Sequence, residues 1–217
     1  MYTTLIEIRA YHPCVERWET LLRFLGKTRP DEKPLSLKTI LKSNGLDDAV
    51  WCLRAVDGYD REKSLFAIKC VRRVQHLLKD QRSVNALDVA EAYANGLVSA
   101  EELRKAREEA WVAMWAASGA ERMAGEAVWA AAKGISWASE GFSWASEGIS
   151  WASEGARIAA AEEAAALAIG ATARVAAAAT AWVAMAVAEA AWAAWAAERD
   201  FQTNLFIEMF SSTQEEK

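Results

Sequence analysis

Lys69, Arg72, Arg73 and His76 follow one another at i, i+3, i+4 and i+7. On a helix that spacing gathers them on one side. Cations so placed can hold a phosphate or a carboxylate, the arginines through a planar fork of donors. Arg54 stands on the preceding predicted helix, with Trp51 one turn before it. An indole face can stack a nucleotide base. Trp51, Arg54, Lys69, Arg72, Arg73 and His76 therefore form the candidate ligand-binding set. The plainer alternative is a solvated basic face neutralised by Asp and Glu.

No other constellation supports chemistry. The chain contains no GxGxxG, P-loop, HExxH or GxSxG pattern. Its acidic pairs, Glu101-Glu102, Glu108-Glu109 and Glu162-Glu163, are adjacent, so their members point to different sides of a helix. No catalytic residue is assigned and the chain reads as a non-enzyme. Cys14, Cys52 and Cys70 are odd in number and lack CxxC spacing, and His12 and His76 lie far apart. Reduced, buried thiols are expected, with no metal site and no cofactor. A net charge of −5 argues against general nucleic-acid binding, which needs a basic surface.

The elements that must position these residues read as helices. All 3 prolines fall at or before Pro34, and the remainder is rich in Ala, Glu, Arg and Trp. Residues 1–12 alternate weakly and read as a short strand or an extended arm. Pro13 fits the first turn of a helix that Gly26 ends. Residues 27–34 form a charged, proline-bearing linker. Ser36 caps a short helix closed by Asn44-Gly45, and Asp47 and Asp48 open the next. A helix over 61–79 and another over 83–94 follow. Ser99-Ala-Glu-Glu102 is a capping box that opens the alanine-rich tract. The predicted fold is all-α, an antiparallel helical domain followed by long Ala/Trp-rich helices in a close-packed bundle or coiled coil. The predicted units are an N-terminal helix and linker (1–34), a helical domain (35–110), an oligomerisation region (111–199), and a docking segment with a tail (200–217).

Within that tract stand three near-identical heptads, Gly134-Ile-Ser-Trp-Ala-Ser-Glu140, Gly141-Phe-Ser-Trp-Ala-Ser-Glu147 and Gly148-Ile-Ser-Trp-Ala-Ser-Glu154. A strict seven-residue apolar repeat favours a left-handed supercoil. Ile135, Phe142 and Ile149 take core positions, Ala138, Ala145 and Ala152 allow close approach, and Trp137, Trp144 and Trp151 cover the seam. The partner of this face is another segment of the chain or the same tract in a second copy; a homo-oligomer is expected. No strong stop signal appears between Ser99 and Asp200, and Gly155 or Gly170 is the expected hinge. A short β-solenoid is the alternative for the heptads. Residues 175–197 carry only Glu189 and are long enough to span a bilayer, but alanine is nearly neutral for insertion, so a buried bundle helix is preferred to a membrane span. The N-terminus, with Glu7 and Arg9 among its few apolar residues, reads as no signal peptide.

Some of these segments carry a resemblance. Leu41-Lys-Ser-Asn-Gly-Leu-Asp-Asp-Ala-Val-Trp-Cys-Leu-Arg-Ala-Val56, Asp60-Arg-Glu62, Val74-Gln-His-Leu-Leu78, Leu87-Asp-Val-Ala-Glu-Ala-Tyr-Ala-Asn-Gly96 and Gln202-Thr-Asn-Leu-Phe-Ile-Glu-Met-Phe210 resemble a family of bacteriophage-encoded helical proteins with alanine-rich C-terminal halves. More distantly, the helical region is similar to bacterial proteins described as immunity proteins. The resemblance covers about 41–110 and 200–210. Family members repeat short Ala/Trp/Arg/Asp units, from which the heptads here depart. It implies a phage accessory protein in the cytoplasm of an infected bacterium and supplies no catalytic residues. The function expected from it is neutralisation of a bacterial defence by binding. A nucleotide-type immune signal would be sequestered between helices, its phosphates on the basic set and its base on a Trp; the alternative target is a host defence protein. From other classes come a scaffolding coiled coil and a membrane-active protein using 158–197.

Overall fold

The protein is described here from a computed structural model, which covers residues 1–136, 150–164 and 179–211. Among the described residues it is all-α apart from one short strand pair. The strands, β1 (Tyr2–Thr3) and β2 (Leu35–Ser36), pair antiparallel with Tyr2 opposite Ser36. Thr4 then opens α1 (Leu5–Ala10) with a capping box, its side chain accepting from the Glu7 backbone while the Glu7 carboxylate accepts from the Thr4 backbone. The first residues are thus a strand and then a helix. α2 (Val15–Phe24) buries Trp18 and Leu21. Ser36 caps α3 (Leu37–Asn44), accepting from the Thr39 backbone at 3.1 Å. Gly45 separates it from α4 (Leu46–Trp51), which runs into a 3₁₀ turn, Cys52–Ala55.

α5 (Asp60–Arg72) follows, then a 3₁₀ turn at Gln75–Leu77, α6 (Gln81–Ala94) capped by Asp80, and α7 (Ala100–Ala116) with the Ser99–Glu102 capping box. The helix expected over 61–79 therefore stops short. Arg73 and Val74 donate to the carbonyls of Cys70 and Val71, three residues back, and this tightening ends the helix as Val74 turns into the core.

The tract after Ser99 also breaks earlier than expected. α7 ends at Ala116, and Gly119 opens α8 (Gly119–Ser136) at φ +55, a left-handed conformation that glycine adopts without strain. The sequence shows no stop signal here because Ala117 and Ser118 carry no helix-breaking side chain. Gly155, expected as a hinge, lies inside helix α9 (150–164) and packs on α8; a Cβ there would meet Met123 at 3.5 Å and Ala124 at 3.6 Å. Gly170 lies outside the described residues. α10 (Ala179–Ser211) closes the chain. Among the described residues no helix is long and apolar enough to cross a membrane.

One hydrophobic core draws on most of these elements, from Leu5 and Ile8 of α1 to Leu205, Phe206 and Phe210 of α10. Phe66 of α5 is among its largest fully buried side chains. The Phe206 ring meets it edge-on at 5.7 Å and the Phe210 ring at 5.3 Å, while those two rings sit 5.0 Å apart. All three are fully buried. Edge-to-face pairs of this kind add about 0.5–1.5 kcal/mol each beyond the area they bury. The Met1 ammonium donates to the Phe210 carbonyl at 2.8 Å, so a cation meets the carbonyl-rich C-terminal end of α10.

Candidate ligand-binding cleft

The basic residues that sequence spacing places together separate in the fold. Arg72, at the end of α5, turns to α6. Its Nη1 lies 2.8 Å from Asp88, and its Nε and Nη2 both reach the Glu91 carboxylate, at 3.2 and 2.5 Å. Burial opposes its charge, but the hydrogen bonds to Glu91 and Asp88 outweigh it and raise the Arg72 pKa. Arg73 leaves in another direction. It stacks over the Phe201 ring at 4.8 Å and lies 3.5 Å from the Glu198 carboxylate of α10. Burial raises the Glu198 pKa, while Arg73, Gln202 and His76 oppose the shift. His76 stands exposed on the 3₁₀ turn, its Nδ1 3.1 Å from the Arg73 carbonyl. Lys69 is exposed and makes no ion pair among the described residues. Arg72 and Arg73, being adjacent, point to different sides of the helix and are drawn to acids of α6 and α10, and His76 lies past the helix end.

Trp51 and Arg54 remain together. The Arg54 guanidinium stacks over the Trp51 indole at 4.3 Å, and its Nε donates to the Trp51 carbonyl at 3.0 Å. Burial lowers the Arg54 pKa. Trp51 also lines a cleft of about 90 Å³ between α1, α2, α3 and α4. Ile8, Trp18, Leu21, Ile40 and Cys52 line it too, with Pro13 and Cys14 beside them. Burial pushes the Cys52 thiol up to about 12, so it stays neutral at physiological pH. Arg17, Asn44 and Asp48 complete the lining with polar atoms. Asn44 Nδ2 donates to the Arg17 carbonyl at 2.8 Å and to Asp48 Oδ2 at 2.7 Å, and Arg17 Nη1 lies 3.6 Å from Asp48.

Sequence reasoning found Trp51 but not its neighbours. Trp18 reads as one member of an apolar helix face, and Asp48 as an acid suited to a helix N-terminus. A usable signal was the pair of aromatic residues, Trp18 and Trp51, each on a short helix next to cations. In the structure Arg9 stacks over Trp18 at 5.6 Å, as Arg54 does over Trp51.

A second feature lies on α7. Trp111, Val112 and Trp115 are exposed, Trp115 by 58%. The Trp111 ring meets Trp115 edge-on at 5.6 Å and Trp129 of α8 at 4.8 Å, and Arg122 covers the Trp115 ring at 5.1 Å.

Of the heptad residues, Ile135 lies on α8, and Trp137, Ala138, Phe142, Trp144, Ala145 and Ile149 fall outside the described residues. Ala152, on α9, is fully buried in the chain's own core and Trp151 packs against that core. Among the described residues no group of His, Cys, Asp and Glu is placed to hold a metal ion. The chain matches no family model, no curated protein and no solved structure.

Proposed function

We propose that this chain is a non-enzymatic binding protein that acts for a bacteriophage by engaging a protein of bacterial defence. The observation that carries the binding role is the aromatic ledge of Trp111 and Trp115 with Arg122 stacked on it. Trp and Arg are enriched where proteins recognise one another, because they join large contact area to fixed polar geometry. The resemblance of 41–110 and 200–210 to phage-encoded helical proteins supplies the setting. Self-association through the heptads belongs to the same proposal.

Sequestration of a nucleotide-type signal is the second reading. It is favoured by the Arg54–Trp51 stack and by the exposed Lys69. It is weakened by Arg72 and Arg73, whose charges already face Asp88, Glu91 and Glu198.

Native mass spectrometry separates the two. The purified protein is measured alone, for its oligomer number, and then after mixing with an extract of phage-challenged cells. A gain of a whole host protein, lost in a Trp111→Ala/Trp115→Ala variant that keeps its helix content, is the expected result. A gain of a few hundred daltons moves the weight to sequestration. No gain in either mass range overturns both.

A further inference from the structure

The α1–α4 cleft differs from the aromatic ledge in size and in chemistry. At about 90 Å³ it is well below the roughly 300–1,000 Å³ of sites that enclose cofactors and nucleotides. It is also smaller than the roughly 150 Å³ apolar cavity known to admit benzene. One aliphatic side chain fills that room, whereas a base or an indole enters it only in part.

The polar atoms decide what that side chain is attached to. Ile8, Leu21, Ile40 and Cys52 offer the occupant no strong hydrogen-bonding group. Asn44 has no donor left: its Nδ2 donates to Arg17 and Asp48, and its oxygen accepts from Ser43 at 2.5 Å with one lone pair to spare. Beside the Trp18 and Trp51 indole N–H donors, the Arg17–Asp48 pair offers a donor and an acceptor side by side. Arg17 is 58% exposed and its guanidinium has donors to spare, while the Asp48 carboxylate has unused lone pairs. A carboxylate beside a guanidinium complements one N–H and one C=O, the two groups that every peptide unit presents.

We propose that this cleft docks one aliphatic side chain, of leucine or methionine size, borne on a peptide segment of a partner protein. The segment's N–H faces Asp48 and its C=O faces Arg17. The inference rests on the reading that the partner is a protein, but it assigns a surface separate from the ledge. Such a pocket anchors a segment by one buried residue, with the polar rim fixing its direction.

The test is an NMR titration of the full-length protein. The probes are N-acetyl-leucine-N′-methylamide, N-acetyl-tryptophan-N′-methylamide and adenosine monophosphate. The Trp18 and Trp51 indole N–H signals, assigned with Trp18→Phe and Trp51→Phe, are the readout. The leucine probe is expected to shift both signals with millimolar affinity, and the other two are not. Arg17→Gln, at an exposed site, weakens the leucine probe several-fold, Asp48→Asn does the same, and Cys14→Phe blocks it at the rim. Indole signals unmoved by the leucine probe overturn the proposal, as does equal binding of the tryptophan probe or tighter binding of the nucleotide. Leucine binding without capture of a host protein would sink the defence reading and leave the cleft standing. Capture without leucine binding would do the reverse.

Discussion

Gln202 of α10 donates through Nε2 to the Ser153 hydroxyl of α9 at 2.9 Å, and both side chains are buried. The hydroxyl in turn lies 3.2 Å from the Gln202 oxygen. This is a polar contact that ties α9, where the heptad tract ends, to the C-terminal helix. Two short polar groups exchanging bonds inside an apolar region set position as well as energy.

Replacing Gln202 with Leu leaves Ser153 without this partner in a buried place. The expected cost is about 0.5–1.5 kcal/mol, the net worth of one hydrogen bond. Urea unfolding of Gln202→Leu, Ser153→Ala and the double variant checks it. The double variant is expected to be less damaged than the sum of the singles, with coupling of about 0.5–3 kcal/mol.

Phe206 and Phe210 are both fully buried against Phe66. Phe206→Ala and Phe210→Ala are each expected to cost about 3–5 kcal/mol, through lost transfer energy and an unfilled cavity. Thermal unfolding by circular dichroism reads this directly. A loss below about 1 kcal/mol would mean that the C-terminal segment does not close the core.

Gly155 sits inside α9, and a Cβ there would meet nothing nearer than 3.5 Å. Gly155→Ala gains the helix propensity that glycine gives up and makes ordinary contacts with α8. Stabilisation by about 0.5–1 kcal/mol is expected. A hinge at Gly155 would give the opposite sign. Gly119→Ala is the contrasting control, since its φ of +55 strains any side chain.

Glu198 gives a pH dependence. Burial raises its folded pKa above the unfolded value, so in the window between the two the folded state holds more protons. Stability therefore falls as pH rises from about 4.5 through the raised pKa, and is level above it. Glu198→Gln removes this slope while still offering Arg73 an acceptor. The variant is expected to match or exceed the parent at pH 7, with the difference vanishing near pH 4.5. Denaturant unfolding across pH 4–8 checks the sign.

Lys63 is buried and its ammonium donates to the Val56 carbonyl, at the end of the 3₁₀ turn after α4. Burial lowers its pKa, opposed by Asp60 and Asp57. Lys63→Met keeps the apolar stem but leaves that carbonyl without its donor. A loss of about 1–3 kcal/mol is expected in thermal unfolding.

The fold class was legible because local signals agree with the helices they bound. Ser36, Ser99 and Glu102 cap where their types and spacing direct, and Gly26 and Gly45 follow helix ends at positive φ. What could not be read is where a helix stops without a breaker. Arg72 to His76 keep a helical spacing, yet the demand to bury Val74 ends α5 between them. His76 leaves the shared face for that reason, while Arg72 and Arg73 are drawn apart by their acidic partners. The cations are individually real, but Asp88, Glu91 and Glu198, which meet Arg72 and Arg73, come from α6 and α10. Pairings across such separations leave no trace in spacing. The Trp18–Trp51 cleft is a tertiary product of the same kind, formed by four helices that are each too short to announce it.

The Phe66–Phe206 contact also sets a schedule for synthesis. The two rings are separated by about 140 residues, which a ribosome takes roughly 7–30 s to make. For most of that interval Phe66 is already made and its ring lacks the cover that Phe206 provides. The chain must wait for the last helix before it can finish folding. A stalled or truncated message ending inside the alanine tract would release a chain whose core is open, a substrate for chaperones and proteases.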